Sequence, residues 1–394
     1  MASQRELRVA FIGGPQYDIL YTRLPAFEAA TGYTVRIVVQ LPHPELNAFI
    51  AQAYAHGQRP ALDLISTHIK YAPSQAAFLL ALDDYLTPDE IAALSPRAIQ
   101  ASRVDGRLIQ APRMVDARLL FYRTDLLAAE HFQPPATWAE VSAQARALTH
   151  APQRYGYVFP GRYSGLFGTF FELTTMAGGR LFDETGRPLF DEEPVIWALE
   201  FLRELYACGA APPELVGWHY DEVSTCFRDG NAAFVADWPG FFSLYTDPRA
   251  SRIVQSFGVM RYPVGPSGRR AVYAGMHSFA IPNTARDVPA ALALLRFLLN
   301  EESQWVEAQH GAFPTRQATV EALARTVTPG SVEAQRLEAL KATIAEDMLM
   351  FPPLARYPMI EDNLWPIIQQ AITGAISTSQ AASDMRERAQ TILR

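Results

Sequence analysis

The sequence predicts an α/β fold divided between two lobes. Three observations carry that reading. The chain has 394 residues, more than one ordinary core accommodates and suited to two. Hydrophobic residues make up 49% and charged residues 19%, enough apolar surface to build large cores. The opening segments alternate between strand-like and helix-like patterns, and such alternation implies a sheet with helices on both faces.

Leu7 to Ile12 is an unbroken apolar run that stops at Gly13-Gly14-Pro15, the pattern of a buried strand opening into a tight loop. The helical stretch through Leu24 and Phe27 ends at Gly32, where glycine takes the left-handed cap conformation. Thr34 to Val39 is β-branched and apolar, a second strand. Pro44 opens a helix with Leu46, Phe49, Ile50, Ala53 and Tyr54 on one face, closed at Gly57. Leu62 to Ser66 is a third strand, and parallel strands need the helices between them. Val104 to Ile109 holds a turn signal, and Leu119 to Arg123 reads as a strand. Thr137 and Glu140 have capping-box spacing at the start of a helix. Pro194 opens a helix closed by Gly209, and Ala232 to Ala236 is a short buried strand. Pro263 to Gly268 is a loop, Ser278 to Pro282 is strand-like, and an apolar helix runs through Leu292 to Leu299. Asn300 caps the next helix, and the chain is mostly helical after Pro314.

The net charge of −7 argues against general affinity for nucleic acid or anionic membrane. No apolar run reaches the roughly 20 residues of a membrane-spanning helix. Met1 to Glu6 lacks the apolar core of a signal peptide, consistent with a cytoplasmic chain or with a leader already removed. Cys208 and Cys226 fit neither a zinc pattern nor a disulfide framework. They read as separate, mostly buried thiols, with a single disulfide as the alternative in an exported protein.

Several stretches in order resemble the family-1 extracellular solute-binding proteins of ABC importers. They are Phe27 to Val35, Arg59 to Leu64, Leu82 to Leu86, Asp105 to Pro112, Leu120 to Leu127, Pro135 to Glu140, Phe227 to Phe234 and Gly311 to Arg316. Arg123 stands where the family usually has asparagine. The resemblance implies the type II two-lobe periplasmic-binding-protein fold, with a ligand cleft between lobes. It places an N-lobe at 1–113 and 262–315 and a C-lobe at 118–261 and 320–394, with crossings near 114–117, 258–262 and 314–320. It implies a location outside the cytoplasm, with lipid anchoring as an option. The partners it implies are a sugar-like solute and the transmembrane permease subunits. A monomer without cofactor or metal is expected.

In open α/β sheets ligands bind beyond the carboxyl ends of the strands. That rule marks Gly13 to Tyr17 (with Gln16 and Tyr17), Gln40 to His43 and Ser66 to Tyr71 (with His68) as candidate ligand loops. Trp238 follows the strand at Ala232 and offers a ring face for sugar C–H groups. Tyr163 lies in the loop-like Gly161 to Gly165. Asp116 sits at the expected crossing, as a hydroxyl acceptor or as an ion-pair partner of Arg113 or Arg118. Gly275-Met276-His277 reads as a small loop that lets backbone approach a ligand. Arg316 serves an acidic ligand group or an ion pair.

No phosphate loop, Gly-x-Ser-x-Gly or His-Glu-x-x-His is present. Gly161, Gly165 and Gly168 do not have dinucleotide spacing. A glycosidase-like carboxylate pair stays open, though nothing marks one. Within binding proteins a neutral sugar leads. A sugar acid or phosphorylated polyol held by Arg113, Arg118, Arg162 or Arg316 is the alternative. A ferric-ion site lacks an adjacent tyrosine pair, and delivery to a chemoreceptor is a further output.

Overall fold

The protein is represented by a computed structural model that describes residues 5–55 and 61–394; the side chains of Pro15, Gln16, Pro44 and Ala55 fall outside that description. The expected helix stop at Gly57, the Arg59-Pro60 strand entry and the first four residues also lie outside the described residues. Eleven strands appear among the described residues, in two larger sheets and one two-stranded hairpin. They are β1 (Glu6–Ile12), β2 (Thr34–Leu41), β3 (Leu64–His68), β4 (Arg103–Val104), β5 (Arg107–Leu108) and β6 (Ala111–Ala117). They continue as β7 (Leu119–Arg123), β8 (Tyr155–Val158), β9 (Ala232–Asp237), β10 (Phe257–Met260) and β11 (Ala274–Ala280).

The chain divides into two compact units, the first formed by Met1–Asp116, Gly275–Val327 and Pro353–Ala355. Its sheet has the order β2-β1-β3-β11-β6. β1 runs parallel to β2 and β3, whereas β11 runs antiparallel to β3. The apolar run of β1 follows from burial on both faces. Leu7, Val9 and Phe11 enter one core with Phe27 and the helix Val288–Leu298. Ala10 and Ile12 enter another with Leu46, Ile50 and Tyr54 of the helix His43–Ala55. Gly32 closes the helix Leu24–Thr31 with φ 71°, as a left-handed cap requires.

One buried charge ties this unit together. Arg113 of β6 is 1% exposed. Its Nε donates to Glu307 Oε1 at 2.7 Å, its Nη2 to the Tyr17 carbonyl at 2.8 Å and its Nη1 to the Tyr21 hydroxyl at 3.2 Å. Its guanidinium also lies over the rings of Tyr17, Tyr21 and Phe279.

The second unit comprises Ala117–Ala274, Thr328–Pro352 and Arg356–Arg394. Its sheet has the order β10-β7-β9-β8, with β7 antiparallel to both neighbours and β8 parallel to β9. Thr137 caps the helix Trp138–Leu148 by accepting from Glu140 N at 3.1 Å. The Glu140 carboxylate returns to Ala136 N, one residue before the expected capping-box partner. Trp138 is buried edge-on against Tyr157, Phe201 and Tyr262. The helix Tyr163–Met176 is buried along most of its length.

Residues 262–274, expected in the N-lobe, belong to the second unit. Tyr262 packs on Trp138, Tyr273 N donates to Glu172 Oε1 at 2.7 Å, and Val272 bridges to Met348. Both cysteines are free thiols; Cys208 is exposed, contrary to the expectation of burial. Burial pushes the Cys226 thiol up to about 12, so it stays protonated and inert.

Arg113→Met leaves the buried Glu307 carboxylate uncompensated and is expected to destabilise the protein by about 3–5 kcal/mol. Arg113→Met combined with Glu307→Leu should recover most of that loss. Urea denaturation of the three proteins checks it; additive losses would show that the pair is not coupled.

Candidate functional site

The first unit gathers its candidate residues by topology. Because β1, β2 and β3 are parallel, their carboxyl ends share one edge of the sheet, and the loops that leave them lie together. β11 runs the opposite way and begins at that edge, with His277 directly opposite His68 in register. Gly275-Met276-His277 is therefore a buried strand start and not a loop. β3 pairs with it from His277 onward, and Met276 N donates to the His68 ring at 3.2 Å. Directly opposed residues have neighbouring side chains, and the His68 and His277 rings lie 5.1 Å apart.

His43, the first residue of the helix after β2, completes a trio. Its ring is 4.6 Å from His68 and 5.2 Å from His277, edge to face in both cases. Tyr17 adds a hydrogen bond of 2.9 Å between its hydroxyl and His277 Nε2. Tyr71 packs against His43 at 5.7 Å, and Lys70 lies over the Tyr71 ring. Burial holds His43 and His68 well below the usual imidazole range, and neighbouring imidazoles and Lys70 add to it. Burial, then the Arg113 charge, brings His277 down to about 3. All three rings are neutral near pH 7.

The second unit offers aromatic surface. Trp238 follows the end of β9 and is half-buried. Its ring meets Tyr220 at 5.6 Å and Tyr273 at 6.3 Å, both edge to face. Arg118 is fully buried, with its guanidinium 5.1 Å from the Trp238 ring centre and 5.3 Å from that of Tyr273. Its charge is answered by Glu172 at 3.5 Å, and its Nη1 donates to Thr169 Oγ1 at 2.9 Å. Gly168 leaves it room; a Cβ there would meet Arg118 Nη2 at 2.4 Å. Asp237 accepts from Trp238 N at 2.8 Å and from the Tyr245 hydroxyl, which fixes the turn.

Tyr163 is 47% exposed, at the start of the helix Tyr163–Met176, with φ +56°. A tyrosine seldom adopts that left-handed conformation, and strain of this kind concentrates at functional positions. Its ring stands edge-on to Trp365 at 5.0 Å and to His219 at 5.7 Å. His219 in turn lies 3.9 Å from Tyr220. Trp365, Tyr163, His219, Tyr220 and Trp238 thus form a connected row of partly exposed rings within the second unit.

Residues 23–339 match the family described as bacterial extracellular solute-binding protein. The chain belongs to that family. This solute-binding protein is a non-enzymatic transport component. It is 26% identical over 315 residues to a probable ABC transporter-binding protein of Deinococcus radiodurans, covering 78% of this chain and 74% of that one. It is 24% identical over 326 residues to a probable amino-acid ABC transporter periplasmic-binding protein of Sinorhizobium fredii, covering 81% and 70%. The structure of maltose-bound MalE3 of T. maritima superposes with a TM-score of 0.84 at 26% identity, covering 98% of this chain and 100% of that one. The fold is that of the maltose-binding proteins, with two mixed sheets.

In this solute-binding protein Tyr17, His43, His68 and His277 come together, with Gly275 and Met276 beneath them as strand backbone. Met276 N contacts His68 Nε2 at 3.2 Å. The Gln16 side chain lies outside the described residues. Asp116 is half-buried on β6. Arg316 stands at the N-cap position of the helix Gln317–Ala324 without a side-chain cap, and its Nε donates to the Leu299 carbonyl at 3.0 Å, so it serves the frame of the first unit. Sequence reasoning missed His219, Tyr220, Tyr273 and Trp365. Trp365 carried one signal, Pro366 beside it inside the helix Tyr357–Ile372. The others sit in no motif.

The buried imidazoles set a pH dependence. Between pH 6.5 and 5 the unfolded chain takes up a proton that folded His277 refuses, so stability falls as pH falls. Glu172 and Asp237, each pushed up to about 7 by burial, act in the opposite direction and are common to any His277 variant. Wild type should therefore lose about 2 kcal/mol more than His277→Gln over that span. Urea titrations at the two pH values measure the difference, and parallel losses would refute it.

Proposed function

We propose that this protein captures a neutral, hydroxyl-rich solute, a sugar or polyol, outside the cytoplasm and delivers it to an ABC-type importer. The observation that carries the reading is the row of partly exposed rings in the second unit, from Trp365 through Tyr163 to Trp238. Ring faces pack against sugar C–H groups, and the hydroxyls and ring N–H groups beside them orient the sugar's own hydroxyls. The maltose held by the MalE3 relative supports the same class.

The arginines that favoured a charged solute in the sequence are engaged elsewhere. Arg113 is paired with Glu307, Arg118 with Glu172 and Arg162 with Glu222, while Arg316 bonds a carbonyl. An amino acid is the second reading, favoured by the name of the Sinorhizobium relative. Hinge closure of the two units on the solute, with Trp238, Tyr163 and Asp116 among its contacts, completes the proposal.

A thermal-shift screen of neutral sugars, polyols, sugar acids and amino acids tests the class. A true solute at about 100 times its Kd adds roughly 2.7 kcal/mol of stability. Stabilisation by amino acids or sugar acids alone would overturn the reading. Small-angle scattering should show compaction with the same compound. Trp238→Ala and Tyr163→Ala should each weaken its binding by about 2 kcal/mol or more, roughly thirtyfold. Calorimetry reads the loss, and unchanged Kd in both variants would exclude the aromatic row.

A further inference from the structure

Three imidazoles in mutual contact invite a metal ion, but the geometry is wrong for one. Both nitrogens of His68 face backbone N–H groups, Lys70 N at Nδ1 and Met276 N at Nε2, each at 3.2 Å. A neutral imidazole has one lone-pair nitrogen, so His68 is occupied by backbone and has no lone pair to give a cation. His277 Nε2 is taken by the Tyr17 hydroxyl. Among the described residues no group of three His, Cys, Asp or Glu side chains can hold an ion.

His43 is different. Its Nε2 is buried and has no hydrogen-bond partner. A buried polar atom left unpaired is costly, about 1–3 kcal/mol, and its persistence calls for an explanation. The ring cannot easily turn away, because His68, His277 and Tyr71 pack on it. It stands where the chain leaves β2, at the edge where the carboxyl ends of three parallel strands converge.

We propose that His43 is a specificity-determining residue of the first unit, with Nε2 bonding a hydroxyl of the captured sugar or polyol. The inference rests on the solute class proposed above and assigns it a polar anchor. A hydroxyl suits this atom in either tautomer, because it donates to a bare nitrogen and accepts from a protonated one. A carboxylate suits it only with a proton on Nε2. An ammonium group would meet the positive charges that already act on the trio, Lys70 on His43 and His68 and Arg113 on His277.

The test is calorimetry on wild type, His43→Phe and His43→Gln. The neutral probes are maltose, its monodeoxy derivatives, ribitol and D-mannitol. The charged probes, which carry ionised groups, are the anion D-gluconate and the zwitterion L-glutamine. The expected result is that a neutral probe binds wild type and His43→Phe loses tenfold or more. His43→Gln should lose less, because its amide still donates and accepts. Where maltose is the probe that binds, one monodeoxy derivative should bind wild type and His43→Phe equally, because the bonded hydroxyl is gone. If His43→Phe binds the neutral probe as tightly as wild type, the role of His43 is overturned while the solute class stands. If only charged probes bind wild type, or none does, the solute class falls and this inference with it. Nitrogen-15 spectra of the wild-type imidazoles read the same contact without substitution. The neutral probe must shift His43 Nε2 more than the nitrogens of His68 and His277, and a smaller shift at His43 overturns the assignment.

Discussion

Taking a guanidinium out of water is tolerable only where hydrogen bonds and an opposite charge replace its hydration. Two arginines do this on either side of the point where the chain passes from the first unit to the second. Arg113 on β6 goes into the first unit and Arg118, just before β7, into the second. Each is sealed among aromatic rings and answered by one glutamate, Glu307 and Glu172 respectively. The candidate binding residues depend on both. Arg113 holds the Tyr17 carbonyl, and so fixes the helix whose tyrosine reaches His277. Arg118 lies over Trp238 and Tyr273, and so fixes the Trp238 end of the ring row.

The electrostatic consequence is that, in each unit, the candidate residues lie among groups with little free charge. Burial keeps the three imidazoles neutral, and each of the two buried arginines is paired with a glutamate buried beside it. Recognition in such surroundings falls to ring faces and single hydrogen bonds, which read hydroxyl patterns rather than net charge. Asp237 shows the same economy. Its carboxylate is spent inside the protein, on the Trp238 amide and the Tyr245 hydroxyl.

Much of the fold was legible in the sequence because its signals are local. The apolar run of β1, the glycine cap at Gly32, the Thr137 cap and the Asn300 cap each depend on residues within a turn of one another. Part of the candidate site was legible for the same reason. Trp238 follows a strand that could be recognised, and His43 and His68 lie at the ends of two others. Gly275-Met276-His277 was misread as a loop because its strand is specified by pairing with β3, more than two hundred positions earlier in the chain.

The sequence by itself determined the alternation of strands and helices, the core faces and the family, because periodicity, caps and ordered motifs act over short spans. Only the tertiary structure decided which side chains meet. The His43, His68 and His277 trio follows from strand order and register. The ring row from Trp365 to Trp238 joins four separated segments. The neutrality of the trio follows from burial, which local sequence does not encode, because it is set by everything packed around a residue once the chain has folded.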